Sequence, residues 1–164
     1  IYLILKDNEN NLWFGTDFGL AKYDGYKFVN YYFDKDNPKS ISDDYIQVIY
    51  EDRHKNLWIG TQPISDPFYT KSDYGGGLNL FDRKTESFKR FLNNPNDPST
   101  LNSNFIKCIV DDDEDNLWVG TNKGLNLFDH KSKKFRRIKF IDYSLTDEAY
   151  SFLNKKKNKN NVLR

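Results

Sequence analysis

One short motif, repeated three times, constrains the fold of this chain more than any other feature of its sequence. The motif reads Asn-Leu-Trp-x-Gly-Thr and contains every tryptophan of the protein; its copies are Asn11–Thr16, Asn56–Thr61 and Asn116–Thr121. An aspartate lies five residues before the Leu of each copy, at Asp7, Asp52 and Asp112. Repetition of this kind is typical of proteins that stack similar structural units, so we expect such a stack here.

Each repeat contains four short segments with the composition of β-strands. The first segment is almost continuously apolar, which predicts a strand covered on both faces. The second is the Trp motif, the third begins with Gly-Leu and the fourth is rich in aromatic residues. The first segments are Tyr2–Leu5, Tyr45–Tyr50 and Phe105–Val110, and the last are Phe28–Phe33, Phe88–Leu92 and Phe135–Phe140. Cys108 lies in a first segment and is predicted to be an inert core residue.

The spacing of the repeats matches the length of a propeller blade. Leu12 and Leu57 are 45 residues apart, and a four-stranded blade has about 40 to 45 residues. Leu57 and Leu117 are 60 residues apart because the segment from Gln62 to Gly76 enlarges one hairpin. Closed propellers have about four to eight blades, so three blades do not close a ring. The predicted fold is all-β: a partial β-propeller of three consecutive four-stranded antiparallel blades that belong to a larger ring.

The repeats also predict how the chain is divided. Residues 1–45 are expected to form an N-terminally truncated first blade, residues 46–105 a second blade with the inserted hairpin 62–76, and residues 106–140 a third blade. Residues 141–164 match no repeat and are predicted to be a divergent or disordered tail. Because the sequence has no methionine, we expect the chain to be a piece of a longer protein.

Composition excludes several classes of partner. Lys and Arg number 25 and Asp and Glu number 24, which gives a formal net charge of +1. Such a balance does not create the positive field that attracts nucleic acid, so no nucleic-acid binding by this segment is expected. The sequence has no run of about 18 apolar residues, and we expect no membrane contact by this segment. A single cysteine cannot form an internal disulfide.

The complete repeat resembles the two-component regulator propeller repeat. The resemblance rests on the Asp, the Trp motif, a Gly-Leu-Asn-x-Phe-Asp segment, an aromatic strand and a crossing such as Asn96–Asn104, and it covers roughly residues 1–140. In that family, two propellers of about seven blades each form the extracytoplasmic sensor of hybrid two-component histidine kinases, which commonly sense oligosaccharides. The resemblance implies a periplasmic, non-catalytic sensor segment of an inner-membrane receptor. The expected partners are an oligosaccharide, the remaining blades of the parent propeller and, by dimerisation, a second parent receptor.

The inserted hairpin is the predicted ligand-binding element. Insertions in repeat proteins lie on one rim of the structure, which is often the binding rim. Aromatic rings there can stack on a ligand, and polar side chains can bind hydroxyl groups. The predicted binding residues are Asp66, Phe68, Tyr69, Lys71, Asp73 and Tyr74. The alternative interpretation is a tolerated surface loop, since a long insertion costs little entropy.

Other residues with chemical potential are interpreted as structural. A tryptophan that recurs in every blade is expected to pack between sheets rather than to stack on a sugar. The recurring aspartates are expected to bond the backbone of their own turns. Asp111, Asp113 and Asp115 resemble the start of a calcium loop, but Asn116 and Asn122 stand where Gly and Glu are required. The sequence therefore predicts an ordinary acidic turn.

The two histidines are the remaining candidates for catalytic or metal-ligating groups. His54 and His130 lie in turns at different places in their blades and are expected to be solvated. No nucleophile or pair of carboxylates stands at a recognisable spacing, so we expect no catalytic residue, no metal site and no cofactor. Two alternatives to a sensor stay open: a fragment of a glycan-active propeller enzyme, and a propeller that serves as a protein-interaction scaffold.

Overall fold

The structure is a computed structural model, and it describes residues 1–63 and 76–139. In these two ranges no residue is helical, and no helix long and apolar enough to cross a membrane is found. The strands are β1 Leu3–Lys6, β2 Leu12–Thr16, β3 Gly19–Tyr23, β4 Phe28–Tyr31, β5 Ile46–Glu51, β6 Leu57–Thr61, β7 Gly77–Asp82, β8 Ser87–Phe91, β9 Ile106–Asp111, β10 Leu117–Thr121, β11 Gly124–Asp129 and β12 Lys134–Ile138.

The strands form three antiparallel sheets of four, each made from consecutive segments of the chain. The strand orders are β1-β2-β3-β4, β5-β6-β7-β8 and β9-β10-β11-β12. Each Trp motif forms the second strand of its sheet; Trp58, for example, pairs with Tyr50 on one side and with Leu80 on the other. Three such sheets in succession are propeller blades, which confirms the predicted fold class. We call them blades 1, 2 and 3 in chain order.

The first strands of the blades lie next to one another. β5 packs against β1 on one side and against β9 on the other, as the innermost strands of a propeller do. This approach requires the glycine of the Trp motif. A Cβ atom on Gly60 would lie 2.5 Å from both Ile106 Cγ2 and Val48 Cγ1, which is closer than carbon atoms pack. The glycine of the Trp motif is therefore required here by packing.

Two apolar clusters join the blades. Between blades 1 and 2, the buried side chains include Trp13, Leu20, Ile49, Ile59 and Phe81. Between blades 2 and 3, they include Trp58, Leu78, Ile109, Val119 and Phe128. Trp13 and Trp58 are fully buried, whereas Trp118 is half-buried. The prediction that the motif tryptophans pack between adjacent sheets is confirmed for the two that lie at these junctions.

The prediction for Cys108 is wrong, because its side chain is exposed rather than part of the core. Cys108 is the equivalent of Val48 in blade 2, because each residue pairs with the glycine of the Trp motif in its own blade. Val48 packs into the cluster between blades 2 and 3, where blade 3 covers it. Successive side chains of a strand point to opposite faces. Ile109 faces blade 2, whereas Cys108 and Val110 face away from it, and Val110 is 53% exposed. The described residues thus cover one face of β9.

The motif aspartate closes the first turn of each blade. In blade 2, Asp52 Oδ1 accepts hydrogen bonds from the backbone N–H groups of His54 and Asn56, both at 2.9 Å. The turn places Lys55 in the left-handed region, with φ of 66°, and the equivalent Asp115 of blade 3 has φ of 69°. Side-chain bonds of this kind stabilise tight turns. The predicted role of the recurring aspartates is confirmed.

The same carboxylates also accept a hydrogen bond from the motif tryptophans. The distance from the indole Nε1 to the aspartate Oδ2 is 2.8 Å in all three blades. A buried indole needs a partner for its N–H group, so in blades 1 and 2 the bond allows the ring to be buried and ties the turn to the interblade cluster. The sequence pattern predicted the bonds within the turn but not the bond to the tryptophan.

The packing predicts different costs for the same substitution in two blades. Trp58→Ala should lower the free energy of unfolding by about 3 to 5 kcal/mol, because it empties a buried site between two sheets. Trp118→Ala removes an equivalent indole and its hydrogen bond from a half-buried site and should cost clearly less. Urea unfolding followed by far-ultraviolet circular dichroism measures both values. Equal costs would contradict the interblade role of Trp58.

Candidate functional site

The strand pairing places the inserted hairpin and the tight turns at opposite ends of the blades. Thr61 and Gly77, which border the insertion, pair with each other, and Thr61 also pairs with Ile46 at the beginning of blade 2. The crossings between blades therefore lie at the same end as the insertion. We call this the insertion end, and we call the end that carries the β5–β6 and β7–β8 turns the hairpin end.

The predicted ligand-binding residues lie outside the described residues. The structure includes only the bases of the insertion, which are Gln62, Pro63 and Gly76. The assignment of the remaining insertion to ligand binding therefore stays a prediction; it concerns Asp66, Phe68, Tyr69, Lys71, Asp73 and Tyr74.

Both bases of the insertion are bonded to neighbouring parts of the insertion end. The N–H of Gln62 donates to the carbonyl oxygen of Tyr45 at 3.2 Å, and Lys107 Nζ donates to Gln62 Oε1 at 2.6 Å. The N–H of Gly76 donates to Asp43 Oδ2 at 3.3 Å. Tyr45 and Asp43 precede β5 of blade 2, whereas Lys107 belongs to blade 3. The insertion thus leaves the fold from a fixed base beside the junction of these blades.

Gly76 is required by the geometry of this base. Its φ is 79°, and a Cβ atom would lie 2.4 Å from the carbonyl oxygen of Asn104 and 2.7 Å from Pro63 Cδ. Burial raises the pKa of the Asp43 carboxyl group above its ordinary value, against the opposing effect of its backbone hydrogen bonds. The base is therefore closely packed on the side of the crossings.

An arginine of the outer strand fixes each crossing at the insertion end. In β8, Arg90 donates from its guanidinium group to the carbonyl oxygens of Ser40 at 2.7 Å and Asn37 at 2.9 Å. In β12, Arg137 donates in the same way to the carbonyl oxygen of Thr100 at 3.0 Å. A guanidinium group suits this task because it carries five donors in a rigid fork. The sequence did not predict this role, and its only signal was an arginine two residues after the first aromatic residue of β8 and of β12.

Arg90 provides a test of this support. Arg90→Met should lower the free energy of unfolding by about 2 kcal/mol, because several carbonyl groups of the crossing lose a charged donor. The matched control is Lys89→Met, which removes the neighbouring positive charge, 5.1 Å from the centre of the Phe91 ring. That control should cost less than about 1 kcal/mol. Urea unfolding of both variants checks the difference, and equal costs would refute a specific role of Arg90.

Beneath each crossing, the motif threonine belongs to a buried polar group. Thr61 Oγ1 donates to the carbonyl oxygen of Gly77 at 3.1 Å and also bonds Ser42, while Asn79 donates to Ser42 Oγ at 2.9 Å. The equivalent group of blade 3 consists of Asn102, Thr121 and Asn126. These polar atoms satisfy one another, as buried polar groups must. They hold the crossing in place.

At the hairpin end, a group of ion pairs joins blades 1 and 2. Arg83 lies 2.7 Å from Asp7, 3.1 Å from Glu9 and 2.8 Å from Glu51. Burial by itself would raise the pKa of Asp7, but the hydrogen bonds from Arg83 and Trp13 outweigh it and lower the pKa to about 2. A carboxylate that stays ionised and fully engaged is a structural group and not a proton donor at neutral pH.

The lowered pKa of Asp7 predicts how stability depends on pH. A carboxylate whose pKa is lower in the folded chain stabilises it above pH 4, by about 2 kcal/mol for a shift of this size, and loses that contribution as the pH falls towards 2. Asp7→Asn should therefore be less stable than the unchanged chain at pH 7, with a smaller difference at pH 2. Urea unfolding at both pH values measures the two differences. A difference that does not change with pH would contradict the role of the ionised carboxylate.

The hairpin end between blades 2 and 3 brings together residues that the sequence analysis treated as separate. His54, Asp115 and His130 come from three different turns, and each offers a ligand atom within 4.8 Å of the other two. His54 Nε2 is hydrogen-bonded to Asp115 Oδ1, and the two imidazole rings have their centres 5.0 Å apart. His54 is exposed, as expected, but His130 is half-buried. This is the one group of potential metal ligands found in residues 1–63 and 76–139.

Comparison with known proteins identifies the repeats. Residues 1–18, 40–62 and 100–123 match the family described as "Two component regulator propeller". The chain carries two-component regulator propeller repeats. Each matched segment includes the first two strands of a blade, and hence the turn with the Asp–Trp hydrogen bond.

Comparison with solved structures finds similar chains among the extracellular domains of bacterial proteins. One chain, named as the extracellular domain of the hybrid two component system BT3049 from B. thetaiotaomicron, is 30% identical with a TM-score of 0.68 over 82% of this chain. The match covers 18% of that chain, so the present chain spans less than a fifth of its length. Two structures of the extracellular domain of BT4673 from the same organism are 23% identical with TM-scores of 0.35; the matches cover 85% and 87% of this chain and 24% of each of those chains. No curated protein matches the chain.

Proposed function

We propose that this chain is a ligand-sensing segment of the periplasmic propeller of a bacterial two-component receptor, and that it has no catalytic activity of its own. The observation that carries the proposal is the match to the BT3049 extracellular domain, at 30% identity and a TM-score of 0.68, through blades that bear the two-component regulator propeller repeat. Kinase activity, where the parent protein has it, belongs to other domains.

The outer faces of the stack support a position within a larger ring. Ile4 and Phe28 of blade 1 are 67% and 62% exposed, whereas the equivalent Ile49 and Phe88 of blade 2 are 8% and 4% exposed because blade 1 covers them. Val110 of blade 3 is likewise exposed on the opposite face. Covering such apolar surface is favourable by about 25 cal/mol per Å². We therefore propose the remaining blades of the parent propeller as the partners of both faces.

The absence of an enzymatic role is supported by what the motif acids do. Asp7, Asp52 and Asp112 each accept hydrogen bonds from their own turn and from a tryptophan. A glycosidase needs two carboxylates that face a substrate across a set distance. Acids that are used in this way to close turns do not face a substrate.

The proposed ligand is an oligosaccharide, bound with the help of the inserted hairpin. The insertion contains Phe68, Tyr69 and Tyr74, whose rings can stack on the apolar faces of sugars, together with polar side chains for the hydroxyl groups. Both bases of the insertion are fixed by hydrogen bonds. Gly76 is bonded to Asp43, and Gln62 is bonded to Tyr45 and Lys107. Binding residues are often carried by a loop on a rigid support, and the fixed base supplies one.

The intact ectodomain that contains this segment provides the test. It is mixed with a panel of oligosaccharides, and both binding and product formation are measured. A sensor gives saturable binding without turnover. Turnover would replace the proposal with a glycan-active enzyme, and neither binding nor turnover would favour a protein-interaction scaffold.

Shortening the insertion is expected to weaken binding without unfolding the ectodomain. The segment from Gln62 to Gly76 is replaced by a two-residue link, which suffices between Thr16 and Gly19 in blade 1 and between Thr121 and Gly124 in blade 3. The dissociation constant should rise about fivefold or more, equivalent to about 1 kcal/mol for a lost stacking contact.

A matched variant keeps the length of the insertion and changes Phe68, Tyr69 and Tyr74 to Ala. Isothermal titration calorimetry with an oligosaccharide that the unchanged ectodomain binds measures both effects, and circular dichroism verifies folding. Unchanged affinity in the two folded variants would return the insertion to the status of a neutral surface loop.

A further inference from the structure

The junction between blades 2 and 3 gathers both histidines of the protein at one point of the hairpin end. His54 lies in the β5–β6 turn of blade 2, Asp115 in the β9–β10 turn of blade 3 and His130 in the β11–β12 turn of blade 3. Their potential ligand atoms all lie within 4.8 Å of one another. Side chains from two blades therefore meet, although nothing in the repeat requires it.

The equivalent junction between blades 1 and 2 shows what is unusual about this group. His130 is the first residue after β11, as Arg83 is the first residue after β7. His54 lies two residues after its motif aspartate, as Glu9 does in blade 1. Arg83 and Glu9 form an ion pair at 3.1 Å, so a cation of one blade meets an anion of the other. At the second junction, two imidazole rings replace that pair, with their centres 5.0 Å apart. The Arg53–Asp111 ion pair, at 2.8 Å, already joins blades 2 and 3. A cation bound between the rings would add a second link at the position where Arg83 and Glu9 pair in the first junction.

We propose that His54, Asp115 and His130 bind a divalent transition metal ion, for which Zn²⁺ is the best match. Two imidazole nitrogens and one carboxylate oxygen form a ligand set typical of zinc sites that keep an open position. Calcium prefers six to eight oxygen ligands, so this set disfavours it. The nearby Asp111 is already bonded to Tyr50 and lies 2.8 Å from Arg53 Nε, which leaves the three named residues as the ligands.

The distances allow binding after small side-chain rotations. Zinc binds histidine nitrogen at about 2.0 to 2.1 Å, so tetrahedral ligand atoms lie about 3.3 Å apart. No two of the three atoms are more than 4.8 Å apart. His54 and Asp115 are exposed and can rotate, whereas His130 packs edge-on against Phe128 with the ring centres 5.3 Å apart. His130 thus serves as the fixed point towards which the other two ligands close.

The ion would act as a clamp between two blades. One ligand belongs to blade 2 and two belong to blade 3, so the bound ion would link their hairpin ends. A ligand that binds only the folded chain raises its stability in proportion to the logarithm of the ligand concentration. The site lies at the opposite end of the blades from the insertion, so the clamp would support the propeller without occupying the proposed ligand site.

The test is isothermal titration calorimetry of the full chain with zinc chloride, with calcium chloride as the second titrant. We expect one Zn²⁺ per chain and no competition by Ca²⁺. His54→Gln, His130→Gln and Asp115→Asn should each weaken zinc binding by about tenfold or more. Asparagine is chosen for Asp115 because it tolerates the left-handed backbone of that position, with φ of 69°. The matched control is Asp113→Asn, which removes an exposed acid of the same turn outside the group and should leave binding unchanged.

A second measurement separates loss of a ligand from loss of the fold. Zinc should raise the Tm of the unchanged chain and of Asp113→Asn, and at the same zinc concentration it should raise the Tm of His130→Gln clearly less. The circular dichroism spectrum of His130→Gln should match that of the unchanged chain. The absence of stoichiometric zinc binding would overturn the proposal. Equal zinc affinity in the three ligand variants, or equal affinity for Ca²⁺, would also overturn it.

Discussion

The hydrogen bond from the motif tryptophan to the motif aspartate links the two levels of this structure, the single hairpin and the stack of blades. Its length is 2.8 Å in every blade. One oxygen of each aspartate closes the turn and the other receives the indole N–H. In blades 1 and 2, the turn thus fixes the ring that the next blade covers. Without this acceptor, the indole N–H would be buried with no partner, at a cost of about 1 to 3 kcal/mol. The repeated motif is therefore a rule for stacking as well as for folding one sheet.

Outside this shared element, the two ends of the blades differ in what they hold. The hairpin end carries charged and imidazole side chains that join blades. Arg83 and its acids join blades 1 and 2, whereas His54, His130 and the Arg53–Asp111 ion pair lie between blades 2 and 3. The insertion end carries crossings that Arg90 and Arg137 fix through carbonyl oxygens. A fixed base would favour the ligand binding proposed for the insertion, because it lowers the entropy cost of binding.

The sequence predicted the blades because each one is specified locally: four short strands, a turn and the motif recur within about 45 residues. It did not predict contacts that depend on stacking. The apolar pattern around Cys108 indicates a face that a sheet could cover, but it contains no information on whether one does. His54 and His130 are far apart in the sequence and lie in turns of different kinds, so only the stacking of blades shows that they meet. Arg90 was missed because its acceptors are backbone carbonyls, which no side-chain pattern reveals.

The coupling between the aspartate and the tryptophan can be measured directly by a double-mutant cycle in blade 2. Asp52→Ala removes the acceptor, and Trp58→Phe keeps an aromatic ring but removes the indole N–H. The free energies of unfolding of the unchanged chain, the two single variants and the double variant give the interaction energy. We expect a favourable coupling of about 1 to 2 kcal/mol, since each single change breaks the same hydrogen bond. Additive effects, with a coupling near zero, would contradict the claim that this bond ties each turn to the interblade core.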